Sequence, residues 1–143
     1  MQTILIADDE ESIRRLIEAT LESPGRLLLQ AVNGTSAVDM ACRELPDLII
    51  LDWMMPGMTG PEVVNKLRQV SSTADIPIIL LTAMAGEQDR LKGLATGAMA
   101  YLVKPFSPLQ LLQIVQQVLA RNEPENVPGK NTVRAGAKLA FSA

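Results

Sequence analysis

At 143 residues, with 48% hydrophobic, 20% charged and only 3% aromatic residues, the chain has the length of one domain and the balance of a globular protein with an aliphatic core. This excludes a fibrous or disordered chain. Sixteen acidic against thirteen basic residues leave a net charge of −3, the wrong sign for holding nucleic acid through its phosphates, so no direct nucleic-acid partner is expected. A single cysteine, Cys42, and no histidine exclude an intrachain disulfide, Cys/His metal clusters and Ser-His-Asp or Cys-His catalysis.

Taken in chain order, Thr3-Ile4-Leu5-Ile6-Ala7 is a short aliphatic run stopping at acidic residues, as a buried parallel strand does. Ile13, Leu16, Ile17, Thr20 and Leu21 recur at helical spacing with Glu11, Arg14, Arg15, Glu18 and Glu22 between them, which predicts an amphipathic helix ended by Ser23-Pro24-Gly25. Residues 27–32 read as a second strand. Residues 34–44 read as a helix carrying Ala37, Val38, Ala41 and Leu45, on which Cys42 is expected as a small core residue. Leu48-Ile49-Ile50-Leu51 is a third strand, ending at Asp52. The run Met54-Met55-Pro56-Gly57-Met58-Thr59-Gly60 is turn chemistry, and its methionines are read as gap fillers. Pro61 suits the first turn of a helix carrying Val63, Val64, Leu67 and Val70.

Ile76-Pro77-Ile78-Ile79-Leu80-Leu81 is a fourth strand that stops at Thr82, followed by a helix over 87–96 whose interior Gly93 costs about 1 kcal/mol relative to Ala. Residues 99–103 form a fifth strand before Lys104-Pro105. Ser107 caps the last helix, with Pro108 behind it and Leu109, Leu112, Val115, Val118 and Leu119 as its stripe. Five strands alternating with five helices predict a (βα)5 chain, an α/β fold with a parallel sheet covered on both faces. The domain is expected over 1–121. Residues 122–143 lose the periodicity and read as a flexible C-terminal tail or linker. No apolar run approaches the ~20 residues of a membrane span and no basic leader opens the chain, so a cytoplasmic protein without a membrane partner is expected.

Ligands of open parallel sheets bind outside the carboxyl ends of the strands. Those ends here carry Asp8 and Asp9, Asp52, Thr82 and Lys104. Three carboxylates gathered at one rim need a neutralising charge, and an oxygen-only donor set suits Mg²⁺. The acidic pair alone would also complement a helix dipole, but matching Asp52 and Lys104 at other strand ends favour a site.

The sets Ile6-Ala7-Asp8-Asp9-Glu10, Ile50 through Gly60, Leu81-Thr82-Ala83 and Tyr101-Leu102-Val103-Lys104-Pro105-Phe106 closely resemble the receiver domains of two-component response regulators. The resemblance spans residues 2–121. It implies a flavodoxin-like, doubly wound five-stranded sheet of order 2-1-3-4-5. It further implies that Asp52 is the phosphoacceptor, taking its phosphoryl group from the phosphohistidine of a sensor histidine kinase or phosphotransfer protein. Mg²⁺ would be held by Asp9 and Asp52, with the backbone carbonyl of Trp53 assisting and Asp8 acting through water. Lys104 and Thr82 would serve the phosphoryl oxygens, and the bond before Pro105 would be cis. Tyr101 would turn inward as Thr82 moves, remodelling the face of the fourth helix, fifth strand and fifth helix, where an output protein or domain, or a second copy in a phosphorylation-dependent homodimer, would dock.

Acidic residues common in the family before its Tyr-Leu-x-Lys-Pro run are replaced here by Met99-Ala100, away from the site residues. An alternative is a phosphohydrolase working through an aspartyl-phosphate. Such enzymes resemble Asp-x-Asp after the nucleophile strand, but position 54 here is Met, so the second acid is lacking and no turnover enzyme is expected. A pseudo-receiver acting only as a binding module is opposed by the full set of site residues.

Overall fold

The computed structural model describes residues 1–83, 95–121 and 139–141. Aliphatic runs too apolar for a half-wet sheet form strands buried on both faces: β1 (Gln2–Ala7), β3 (Leu48–Asp52), β4 (Ile78–Thr82) and β5 (Ala100–Val103), with β2 (Arg26–Ala31) outside β1. All pair in parallel in the order β2-β1-β3-β4-β5, as expected, and a sixth strand β6 (Leu139–Phe141) adds beyond β5.

The expected five-strand order stands, and among the described residues a sixth strand extends it: Leu139–Phe141, within the segment expected as a tail, pairs in parallel with Ala100–Leu102. Residues 122–138 of the expected tail lie outside the described residues, as does the expected helix over 87–96 apart from its last two positions.

Alternation along the strands sends side chains to two cores. Ile4, Ile6, Ile50, Ile79, Leu81 and Leu102 face α1 (Glu11–Leu21) and the last described helix, α4 (Pro108–Arg121). Leu5, Ala7, Ile49, Leu51, Ile78 and Leu80 face α2 (Gly34–Glu44) and α3 (Gly60–Arg68). This is the doubly wound arrangement, and it leaves the carboxyl ends of the strands as one open rim.

The helix starts follow local chemistry. Asn33 caps α2 by accepting the Ser36 N–H at 2.8 Å. Thr59 and Glu62 form a reciprocal capping box at α3, with Pro61 in its first turn. Ser107 and Gln110 form the same reciprocal pair at α4.

Several stripe residues fall elsewhere than their spacing suggests. Leu16 and Leu109 are exposed; on α4 the buried line runs through Leu111, Ile114, Val115, Val118 and Leu119. Leu45 sits at the left-handed C-cap of α2, and Val70 lies past the end of α3; both are exposed. Cys42 is exposed as well, because α2 buries the line Gly34, Ala37 and Ala41, which passes beside it.

One polar residue ties the far end of the sheet together. The half-buried Arg68 guanidinium, at the end of α3, donates to the carbonyls of Ala74 and Ile76 at 2.9 Å and of Gly97 at 3.0 Å. It thereby joins the approach to β4 to the approach to β5. Arg68→Met keeps the aliphatic stem and strands those carbonyls, so the expected loss is about 3 kcal/mol of unfolding free energy. A urea titration should show the midpoint falling with the m-value unchanged; an unshifted midpoint would deny Arg68 this role.

Candidate functional site

Register brings the acidic residues together. β1 and β3 are neighbours with Ala7 opposite Leu51, so the next residues, Asp8 and Asp52, emerge side by side from the sheet. Both are buried, at 0% and 6% exposure, whereas Asp9, one step further along the loop, is exposed.

Asp8 is held at each of its polar atoms. Its N–H donates to the Ala31 carbonyl at 3.2 Å, extending the β1–β2 pairing. Its Oδ1 accepts the Glu10 N–H at 2.9 Å, its Oδ2 accepts the Lys104 ammonium at 3.0 Å, and its carbonyl accepts Arg14 Nη1 at 2.8 Å.

Lys104 follows β5 and reaches across the end of β4. Its N–H donates to the Thr82 carbonyl at 2.7 Å, and its Nζ lies 3.0 Å from Asp8 and 3.2 Å from Asp52. The Lys104–Pro105 bond is cis, as the resemblance implies. Burial disfavours the charge on Lys104, but the hydrogen bonds and charges of Asp8 and Asp52 outweigh it and push the ammonium above its ordinary pKa. For Asp52, burial and then the neighbouring Asp8 charge raise the carboxyl to about 6 against the pull of Lys104.

Thr82 closes β4 almost fully buried, at 1% exposure. Tyr101 is completely buried inside β5, opposite Leu80, so its side chain lies inward in this structure. The Trp53 carbonyl, expected to help hold an ion, accepts the Gly60 N–H at 2.7 Å. Gly60 must lack a side chain there: a Cβ would come within 2.7 Å of the Asp52 carbonyl oxygen and 3.0 Å of the Trp53 Cα. The close approach seats the start of α3 directly under the Asp52 loop.

The carboxylates of Asp8, Asp9 and Asp52 offer oxygens within 4.8 Å of one another. An all-oxygen set of that span fits a hard divalent cation. The site residues read from the sequence, Asp8, Asp9, Asp52, Thr82 and Lys104, therefore meet at one rim. Arg14 and Gly60 join the site without being singled out by the sequence. Arg14 reads there as part of the solvent face of α1; its place six residues after Asp8, in the first turn and a half of the helix, is the available signal. Gly60 reads there only as the end of a turn.

Residues 4–116 match the family described as the response regulator receiver domain. The chain is 45% identical over 123 residues to the phosphate regulon transcriptional regulatory protein PhoB of Pseudomonas aeruginosa, covering 86% of this chain and 54% of that protein. It is 42% identical over 121 residues to the PhoB of Escherichia coli, covering 85% and 53%. The chain thus spans about half the length of the curated relatives it matches. Among solved structures, the chemotaxis response regulator CheY4 of Vibrio cholerae is similar with a TM-score of 0.77 at 38% identity, covering 82% of this chain and 98% of that one. The receiver domain of a sensor histidine kinase from Pseudomonas aeruginosa, solved with a magnesium ion coordinated in its active-site cleft, gives 0.76 at 34% identity, covering 83% and 98%.

The raised Asp52 pKa has a measurable sign. The folded protein holds this proton more tightly than the unfolded chain, whose carboxyl titrates near 3.8. The stability it contributes is complete below that value and is lost as pH rises through about 6. Asp52→Asn removes the titration. In metal-free buffer, the Tm of the variant relative to the parent should therefore climb between pH values of about 4 and about 7. A pH-independent difference would contradict the burial assigned to Asp52.

Proposed function

The chain belongs to the response regulator receiver family, and on that premise we propose that it is a phosphorylation-controlled signalling switch with Asp52 as its phosphoacceptor. The observation that carries the reading is the Lys104 ammonium lying between Asp8 and Asp52 at the ends of adjacent strands. A carboxylate oxygen of Asp52 attacks phosphorus in line. The new P–O bond forms as the bond to the donor's leaving group breaks, and the electron pair departs with that group. In a phosphohistidine donor the leaving atom is an imidazole nitrogen, so a sensor histidine kinase or phosphotransfer protein is the proposed partner.

Mg²⁺ fits the acidic set, with Asp9 and Asp52 as ligands and Asp8, whose two oxygens already accept the Glu10 N–H and Lys104, acting through water. The ion would neutralise charge on the transferring phosphoryl oxygens. Lys104 stands 3.2 Å from the Asp52 oxygen and meets the added negative charge with little movement. Thr82, at the end of the intervening strand, offers a hydroxyl to another phosphoryl oxygen. Asp52, titrating near 6, is mostly ionised and nucleophilic at neutral pH.

We read the protein as an acceptor and not a turnover enzyme, since Met54 stands where an aspartyl-phosphate hydrolase needs its second acid. Its output would pass through the face around β5 and α4 to a downstream protein or domain, or to a second copy. The relatives named as transcriptional regulators qualify the expectation of no nucleic-acid partner: by that analogy the signal ends at transcription, which in those relatives also involves a half that this chain does not match. No helix among the described residues is long and apolar enough to cross a membrane, and we propose a cytoplasmic location.

Incubation with acetyl phosphate and Mg²⁺ should add one phosphoryl group, seen by intact-protein mass. Asp52→Asn or a chelator should abolish it; equal labelling of the variant would move the acceptor elsewhere. The switch itself is read with beryllofluoride, a phosphoryl mimic. Amide shifts should extend from Asp52 through 82 and 95–106, and Thr82→Ala should shorten their reach. Shifts confined to residues touching Asp52 would leave an acceptor that does not switch.

A further inference from the structure

Arg14 lies on α1 facing the acidic loop and is gripped from both sides. Its Nη1 donates to the Asp8 carbonyl at 2.8 Å, and its Nε donates to Gln30 Oε1 on β2 at 3.0 Å. Gln30 Nε2 in turn donates to Glu18 Oε2, one turn along α1 from Arg14, at 2.8 Å. The polarity of the chain is unambiguous. Glu18 can only accept and Arg14 can only donate, so the Gln30 amide has one orientation that serves both. All three side chains are half-buried.

The Asp8 carbonyl that Arg14 holds belongs to the peptide joining Asp8 to Asp9. A peptide unit is planar, so fixing the direction of that carbonyl fixes the plane and with it the position of the Asp9 Cα. The preceding peptide unit is anchored by the Asp8 N–H on the carbonyl of Ala31, the neighbour of Gln30, so the Asp8 Cα from which the held carbonyl departs is itself fixed. Asp9 is exposed and owes its aim to this backbone, whereas Asp8 is additionally fixed by Lys104.

We infer that Arg14, oriented by Gln30 and Glu18, is the positioning residue that presents Asp9 to a divalent cation. The inference rests on the metal-binding reading above and extends it to residues outside the acidic cluster. Groups of this kind, acting through a ligand and not on the ion, typically shift metal affinity 10- to 100-fold.

The sign of the effect separates positioning from simple charge. A guanidinium near a cation site repels the ion, so removing it on charge grounds alone tightens binding. Positioning predicts the reverse. The test is a Mg²⁺ titration of the intact chain without phosphodonor, followed by the emission of Trp53, the only tryptophan. Arg14→Met should weaken apparent affinity about tenfold. Gln30→Leu, which leaves the Arg14 charge in place, should weaken it less. The double variant should be no weaker than Arg14→Met alone, because the two act in one chain. Arg14→Lys should recover part of the loss.

Unchanged or tighter binding by Arg14→Met, or a lowered Tm in chelator with unchanged Mg²⁺ affinity, overturns the inference and leaves the metal reading standing. If Arg14→Met does not fold, Gln30→Leu decides by the same criterion. A parent chain showing no response at millimolar Mg²⁺ overturns both.

Discussion

Two carboxylates buried side by side at the ends of adjacent strands cannot both remain ionised without a cation between them, and the Lys104 ammonium supplies that charge. It is a demanding arrangement. β5 is separated from β3 by β4, so the lysine must arrive across the Thr82 terminus with its backbone N–H fixed on the Thr82 carbonyl. The consequence is that three strands, β1, β3 and β5, share one electrostatic contact, and a new negative charge on Asp52 competes with Asp8 for the same ammonium. A change of charge at Asp52 therefore acts directly on the lysine that follows β5.

The parallel sheet makes that coupling directional. Strands buried on both faces have nowhere to shift except along their own axes or at their ends. Lys104 sits at one end of β5, and Arg68, through Gly97, restrains the approach to the other. Tyr101 lies between them, fully buried, so the segment 97–104 is held at both ends with an aromatic side chain packed in its middle.

Much of this was legible in the sequence, for a physical reason. Strand ends in an open parallel sheet are where chemistry collects, and the aliphatic runs stop abruptly at Asp8, Asp52, Thr82 and Lys104, so the site could be read as a set of strand termini. The cap at Ser107 and the turn before Pro61 were equally plain, because each depends only on neighbours in the chain. What was not legible depended on distance. Arg14 looks like any helix-surface arginine until β2 places Gln30 beside it, and Arg68 looks like a solvent charge until the segments around Ala74 and Gly97 fold over it. The phase of α4 differs from its sequence pattern at Leu109 because a helix with apolar residues on several faces has more than one plausible stripe, and only the sheet decides which is buried. β6 carried too short an apolar run to stand out from its surroundings.

That short strand changes what the molecule presents to its own kind. Without it the sheet would end at β5, four residues reading Ala-Tyr-Leu-Val, apolar throughout and with one row of backbone donors and acceptors open. Such an edge is a template on which strands of other molecules can add, the first step of aggregation. With Leu139–Phe141 in place the outermost strand is three residues long, too short to nucleate a growing sheet. At the opposite edge, β2 carries Arg26 and Gln30, both committed to side-chain hydrogen bonds. Among the described residues the sheet thus has a short strand at one edge and, at the other, a strand whose two polar side chains are tied down beside three leucines.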